Sequence, residues 1–87
     1  MKKIRIKAPH FYCMEYYENF KKMNIDFDFR DPVYELSLDL IDKWETPFDK
    51  KDISFEKKIE ILDNIYAWLV KTGCSEERII KEYSDNI

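Results

Sequence analysis

One glycine, one histidine and two cysteines are all that 87 residues supply of those types, and each scarcity removes a class of function. Gly-rich phosphate loops and dinucleotide-binding turns need several glycines, for tight turns and for close approach of the backbone to the ligand. Gly73 alone builds neither. Hairpin-rich all-β folds are disfavoured for the same reason, because their tight turns call for Gly or Asn at positive φ. With His10 the single histidine, a catalytic triad has one possible base, and its available nucleophiles are Cys13 and Cys74. A reactive cysteine needs electropositive, partly exposed surroundings. Cys13 falls among apolar neighbours, so catalysis by a Cys–His pair is not expected.

Metal and cofactor sites fail by similar reasoning. His10, Cys13 and Cys74 do not make the two close pairs of ligands that structural zinc uses. Asp26 and Asp28, or Glu35, Asp39 and Asp42, could offer oxygens to a hard cation, but the glycine-bearing loop of a calcium site is missing. No cofactor, no metal and no enzymatic activity are expected. The basic segment Met1–Lys7 has no apolar run after it and does not read as an export signal. No apolar stretch approaches the length of a membrane span. A cytoplasmic location follows as the expectation, with both thiols reduced and buried.

Aromatic residues, in contrast, are plentiful: six Phe, six Tyr and two Trp. Their large apolar areas build a core quickly in a short chain, so residues 1–87 are read as one compact folded domain. Periodicity predicts an α+β, mostly α fold. A short two-stranded β element comes from alternation at about 3–8 and 25–30, paired in parallel around an intervening helix. Three to four helices, at about 9–23, 32–45, 54–72 and 75–84, pack with it. The first opens at Pro9 and gathers Tyr12, Cys13, Tyr16, Tyr17, Phe20 and Met23 on one face. The second is ambiguous, because Tyr34, Leu36, Leu38 and Leu40 alternate as a strand would. Asp31-Pro32 tips the reading to helix as N-cap and first helical residue. The third has the strongest pattern: Ser54 as cap, an apolar arc running through Phe55, Ile59, Leu62, Tyr66 and Leu69 beside Ile61, Ile65 and Trp68, and Gly73 as the left-handed stop. Lys58 lies inside that arc and is expected to snorkel. Ser75 caps the last helix, with Ile79, Ile80 and Tyr83 inward.

Charge is distributed unevenly along the chain. Residues 1–25 carry a net +4, residues 26–49 a net −6 and residues 50–87 a net −1. On a strand Asp26 and Asp28 share one face, and on a helix so do Glu35, Asp39 and Asp42. With Glu45 these six carboxylates form the candidate partner-binding set, a surface that repels nucleic acid and attracts basic proteins. A charge run is also commonly no more than a solvated face. The expected function is a small acidic binding protein that inhibits or masks a basic protein, such as a nuclease or other nucleic-acid enzyme. An immunity protein for a nuclease toxin, an antitoxin or a phage inhibitor of a host defence nuclease would fit this size and charge. Two other readings stand beside it. The basic strand, with Lys2, Arg5 and Lys7 near Phe11 and Tyr12, could bind nucleic acid directly. The Tyr-rich helix could instead form a two-fold homodimer interface.

Overall fold

The computed structural model describes residues 3–82. Strands outweigh helix among them, at 34% against 29%, so the fold is a small α+β one and the mostly helical expectation is corrected. Lys2, Tyr83 and Ser84, which figured in the predicted first strand and last helix, lie outside the described residues.

Residues 4–26 form an antiparallel meander of β1 (Ile4–His10), β2 (Cys13–Glu18) and β3 (Lys21–Asp26), in spatial order β1-β2-β3. This replaces the predicted helix 9–23 and the parallel pairing of its flanking strands. The same tyrosines that share a helical arc also satisfy a period of two. The pleat sends Met14, Tyr16 and Glu18 inward and leaves Cys13, Glu15 and Tyr17 on the other face. Tyr12 sits exposed in the β1–β2 turn, so the three tyrosines point to three environments and no aromatic helix face exists to dimerise. Two devices make the meander possible in a glycine-poor chain. Asn19 supplies the positive φ of the β2–β3 turn, at 56°, a conformation that Asn tolerates better than most residues. Its side-chain Oδ1 accepts from the Lys3 N–H at 3.1 Å. Pro9 lies on the edge strand, where the register shifts between Lys7 and His10. Edges and bulges are where a residue lacking an N–H is tolerated.

Residues 27–33 continue as loop, and the predicted strand 25–30 ends at Asp26. The predicted helix 32–45 is replaced by β4 (Tyr34–Ser37), a 3-10 turn at Leu38–Leu40 and an extended loop. β4 pairs in parallel with β5 (Ile79–Glu82), far along the chain. The predicted helix 75–84 shrinks correspondingly. Ser75 does cap, accepting from the Glu77 N–H at 3.3 Å, but only a 3-10 turn at Glu76–Arg78 follows before β5 begins.

The helix α1 (Phe55–Lys71) forms where the pattern placed it. The Ser54 hydroxyl accepts from the Lys57 N–H at 3.1 Å. Gly73, at φ 109°, closes a Schellman motif in which Cys74 N–H reaches the Leu69 carbonyl and Gly73 N–H the Val70 carbonyl. Ile61, Leu62, Ile65 and Leu69 of α1 pack with Met14, Tyr16, Met23 and Ile25 of the meander, Leu36 of β4, and Ile41 and Trp44 of the loop in one core. Lys58 is half-buried as expected, and Lys57 beside it reaches the sheet. Both cysteines are free and half-buried rather than fully buried. Among the described residues, no helix is long and apolar enough to cross a membrane.

Candidate functional site

β3 leaves the meander at Asp26, and the chain then crosses to β4 through Phe27–Val33. Tyr34 and Leu36 are pulled into the core, so Glu35 between them must face out. The 3-10 turn and the loop after it alternate similarly: Ile41 and Trp44 are buried, while Asp39, Asp42 and Lys43 are exposed. Burial of the apolar partners therefore forces the acidic side chains to the surface at each step.

These carboxylates line three adjoining grooves. The first, of about 400 Å³, has Asp26, Asp28, Asp31 and Glu35 over an apolar floor that includes Phe27, Val33, Tyr34 and Leu40. The second, of about 440 Å³, carries Asp26, Asp39 and Asp42 with Lys58. The third, of about 460 Å³, carries Asp42, Glu45 and Asp49 with Lys43 and Trp44. Asp26 and Leu40 belong to both the first and second grooves, and Asn24 and Asp42 to both the second and third. The three thus form one acidic trough.

All six carboxylates singled out in the sequence lie along this trough, but not by the geometry expected. Glu35, Asp39 and Asp42 do not share a helix face; they come from a strand, a 3-10 turn and a loop. Asp31 and Asp49 join them, although Asp31 read from the sequence as a helix cap. Both are visible in the sequence as part of the same acidic run, and that run was the signal for them.

The trough is held firmly at its first groove. Arg78 spans the 31–34 segment, with Nε donating to the Pro32 carbonyl at 2.9 Å and Nη2 to the Asp31 carbonyl at 3.4 Å. Its guanidinium stands 4.9 Å over the Tyr34 ring, and the Tyr34 hydroxyl donates to the Phe29 carbonyl at 3.0 Å. Asp28 accepts from the Arg30 N–H at 2.9 Å and meets its guanidinium at 3.4 Å. The backbone bond chiefly, aided by the guanidinium, holds the Asp28 carboxyl below the usual carboxylate range. In the third groove Glu45 accepts from the Asn24 side-chain amide, and its own N–H donates to the Lys22 carbonyl at 2.8 Å, which moors the loop to the edge of β3. Asp26, Glu35, Asp39 and Asp42 form no ion pair with any described residue, so their charge is presented outward.

His10 and Cys13 are cross-strand partners, yet each side chain bonds to backbone. His10 Nδ1 accepts from the Tyr12 N–H at 3.4 Å, and Cys13 Sγ reaches the Met14 carbonyl at 3.8 Å. Among the described residues no three His, Cys, Asp or Glu side chains converge to hold a metal ion. Set against known proteins, the chain matches no family model, no curated protein and no solved structure.

Proposed function

We propose that this chain is a small acidic binding protein that acts in the cytoplasm. Its partner is a basic, nucleic-acid-handling protein whose substrate surface it masks, as an immunity protein, an antitoxin or a phage inhibitor of a defence nuclease would. One observation carries the reading: the carboxylates of the single stretch 26–49, which runs through strand, turn and loop, line one continuous trough. Surfaces that bind DNA or RNA are lined with Lys and Arg, and their affinity comes largely from neutralising phosphates. A trough of carboxylates offers those cations the same kind of partner. Its first groove adds apolar walls against which the stems of Lys and Arg can pack. Long-range attraction between such surfaces speeds encounter most of all, and salt weakens it.

The test compares capture by the wild-type chain with capture by Asp39→Lys/Asp42→Lys, using lysate of the source cell and of cells carrying its phages. The expected partner is basic, handles nucleic acid, loses activity on binding the wild type and associates at least about tenfold more slowly with the double variant. Equal association rates for the two proteins, or a partner without a basic surface, would reject the proposal.

A further inference from the structure

The opposite charge collects on the outer face of the meander, and we propose that this face binds the phosphodiester backbone of single-stranded nucleic acid. The inference does not rest on the acidic trough. Strand register puts Arg5, Tyr17 and Lys22 in one row across β1, β2 and β3, with Lys7, Glu15 and Asn24 in the next. These side chains point away from the core, which the sheet meets with Met14, Tyr16, Met23 and Ile25. Tyr17 is the hub. The Arg5 guanidinium lies 4.9 Å from its ring centre, the Lys22 ammonium 5.6 Å and the Lys7 ammonium 5.7 Å. A groove of about 550 Å³ adjoins them, with Lys3, Arg5, Tyr17 and Asn19 among its walls.

Like charges on neighbouring strands repel, and the aromatic face compensates only part of that. Of the two carboxylates on this face, Asp26 lies at the far end of β3 opposite Cys13, and Glu15 sits among the cations. It accepts from the Tyr17 hydroxyl at 2.9 Å and meets Lys22 at 3.4 Å, which leaves Lys3, Arg5 and Lys7 to an external anion. Arg5 and Lys7 occupy alternate positions of the edge strand β1, about 6.8 Å apart at strand rise and close to the separation of successive phosphates in an extended single strand, and Lys3 directly precedes that strand. An open sheet face with a tyrosine among cations is the kind of platform on which a single strand is held by its backbone. The structure also revises which aromatic ring belongs to this surface. Phe11 and Tyr12 stand at the hairpin tip, where Tyr12 lies under Arg30 at 4.4 Å, and Tyr17 takes the place expected for them.

Fluorescence anisotropy of a labelled dodecamer of deoxythymidine, titrated with the whole chain between about 20 and 200 mM salt, tests the proposal. Three phosphate contacts, from Lys3, Arg5 and Lys7, give a slope of log affinity against log salt of about −2.1, and Arg5→Gln/Lys7→Gln brings it to about −0.7 with weaker binding at low salt. Circular dichroism confirms that the variant is folded, and Asp39→Lys/Asp42→Lys binds the oligomer at least as well as the wild type. Several outcomes would overturn the proposal: no anisotropy change at the lowest salt, an unchanged slope in the glutamine variant, or preference for a duplex of equal length. So would a salt-sensitive dimer in sedimentation that the glutamine variant abolishes while oligomer binding stays undetectable, since the occupant would then be a second copy of the chain.

Discussion

Replacing Lys57 with methionine leaves the buried Glu18 carboxylate at the end of β2 without its ion-pair partner. Glu18 is 2% exposed. Lys57 Nζ bonds it directly, and the Tyr16 hydroxyl contributes a longer contact at 3.4 Å. Removing one partner of a buried pair generally costs about 3–5 kcal/mol, because the remaining charge keeps its desolvation penalty. Lys57 also bonds Glu60 at 3.1 Å and retains some solvent contact, so the pair is not wholly dry and the lower end, about 3 kcal/mol, applies. For a chain this short, total stability is on the order of 5–10 kcal/mol. The urea midpoint should therefore fall by about 3 M if the slope is near 1 kcal/mol per molar. Trp44, its ring tilted against Tyr16 at 6.2 Å, reports the transition by fluorescence. Glu18→Gln should cost only about 1 kcal/mol, since Lys57 keeps Glu60 and water. The double variant should then be more stable than Lys57→Met alone by about 2 kcal/mol, a non-additivity that only a direct interaction produces. A midpoint for Lys57→Met within experimental error of the wild type, or strictly additive losses, would refute the account of Glu18 as a buried, paired charge.

Two further predictions concern the meander. Burial, with the neighbouring Glu18 charge, pushes the Tyr16 hydroxyl up to about 12, against the lowering effect of the Asn64 amide bond. Its folded-state value is raised, so the stabilisation is complete below pH 10 and is lost as pH climbs from 10 to 12, amounting to about 2–3 kcal/mol. Tyr16→Phe should flatten that alkaline loss in melting curves recorded across the window, and an unchanged profile would count against it. Asn19→Ala should cost about 1–2 kcal/mol through strain at its positive φ, whereas Asn19→Gly should be nearly neutral on that account. Equal stabilities of the two in thermal melts would show that the turn does not demand a left-handed residue.

The acidic trough was partly legible in the primary structure. Eight carboxylates between residues 26 and 49 against two cations announce a negative surface wherever the backbone goes. Their arrangement was not legible. Spacings of four and three suggested one helix face for Glu35, Asp39 and Asp42, whereas they are brought together by a strand, a turn and a loop. The basic face was harder still to see. Arg5 and Lys7 are visible as an alternating pair, but Lys22 joins them only because Tyr17 pairs with both strands in register.

What the sequence determined by itself is the part of the fold governed by short-range chemistry. Ser54, the apolar arc of residues 55–71 and Gly73 specify α1 completely, because a helix satisfies its hydrogen bonds within its own segment and its caps lie within a few residues. The alternation of Ile4 and Ile6 with Arg5 and Lys7 likewise announces β1. Tertiary structure decided the rest. Between Pro9 and Met23 the aromatic residues fit either period, and the choice fell to strand because β2 finds hydrogen-bond partners on both sides while α1 covers its inner face. Tyr34–Ser37 became a strand rather than a helix because Ile79–Glu82 returns beside it after more than forty residues. The ladder bonds that make β4 a strand come from a partner distant in sequence, so no local pattern could reveal that pairing.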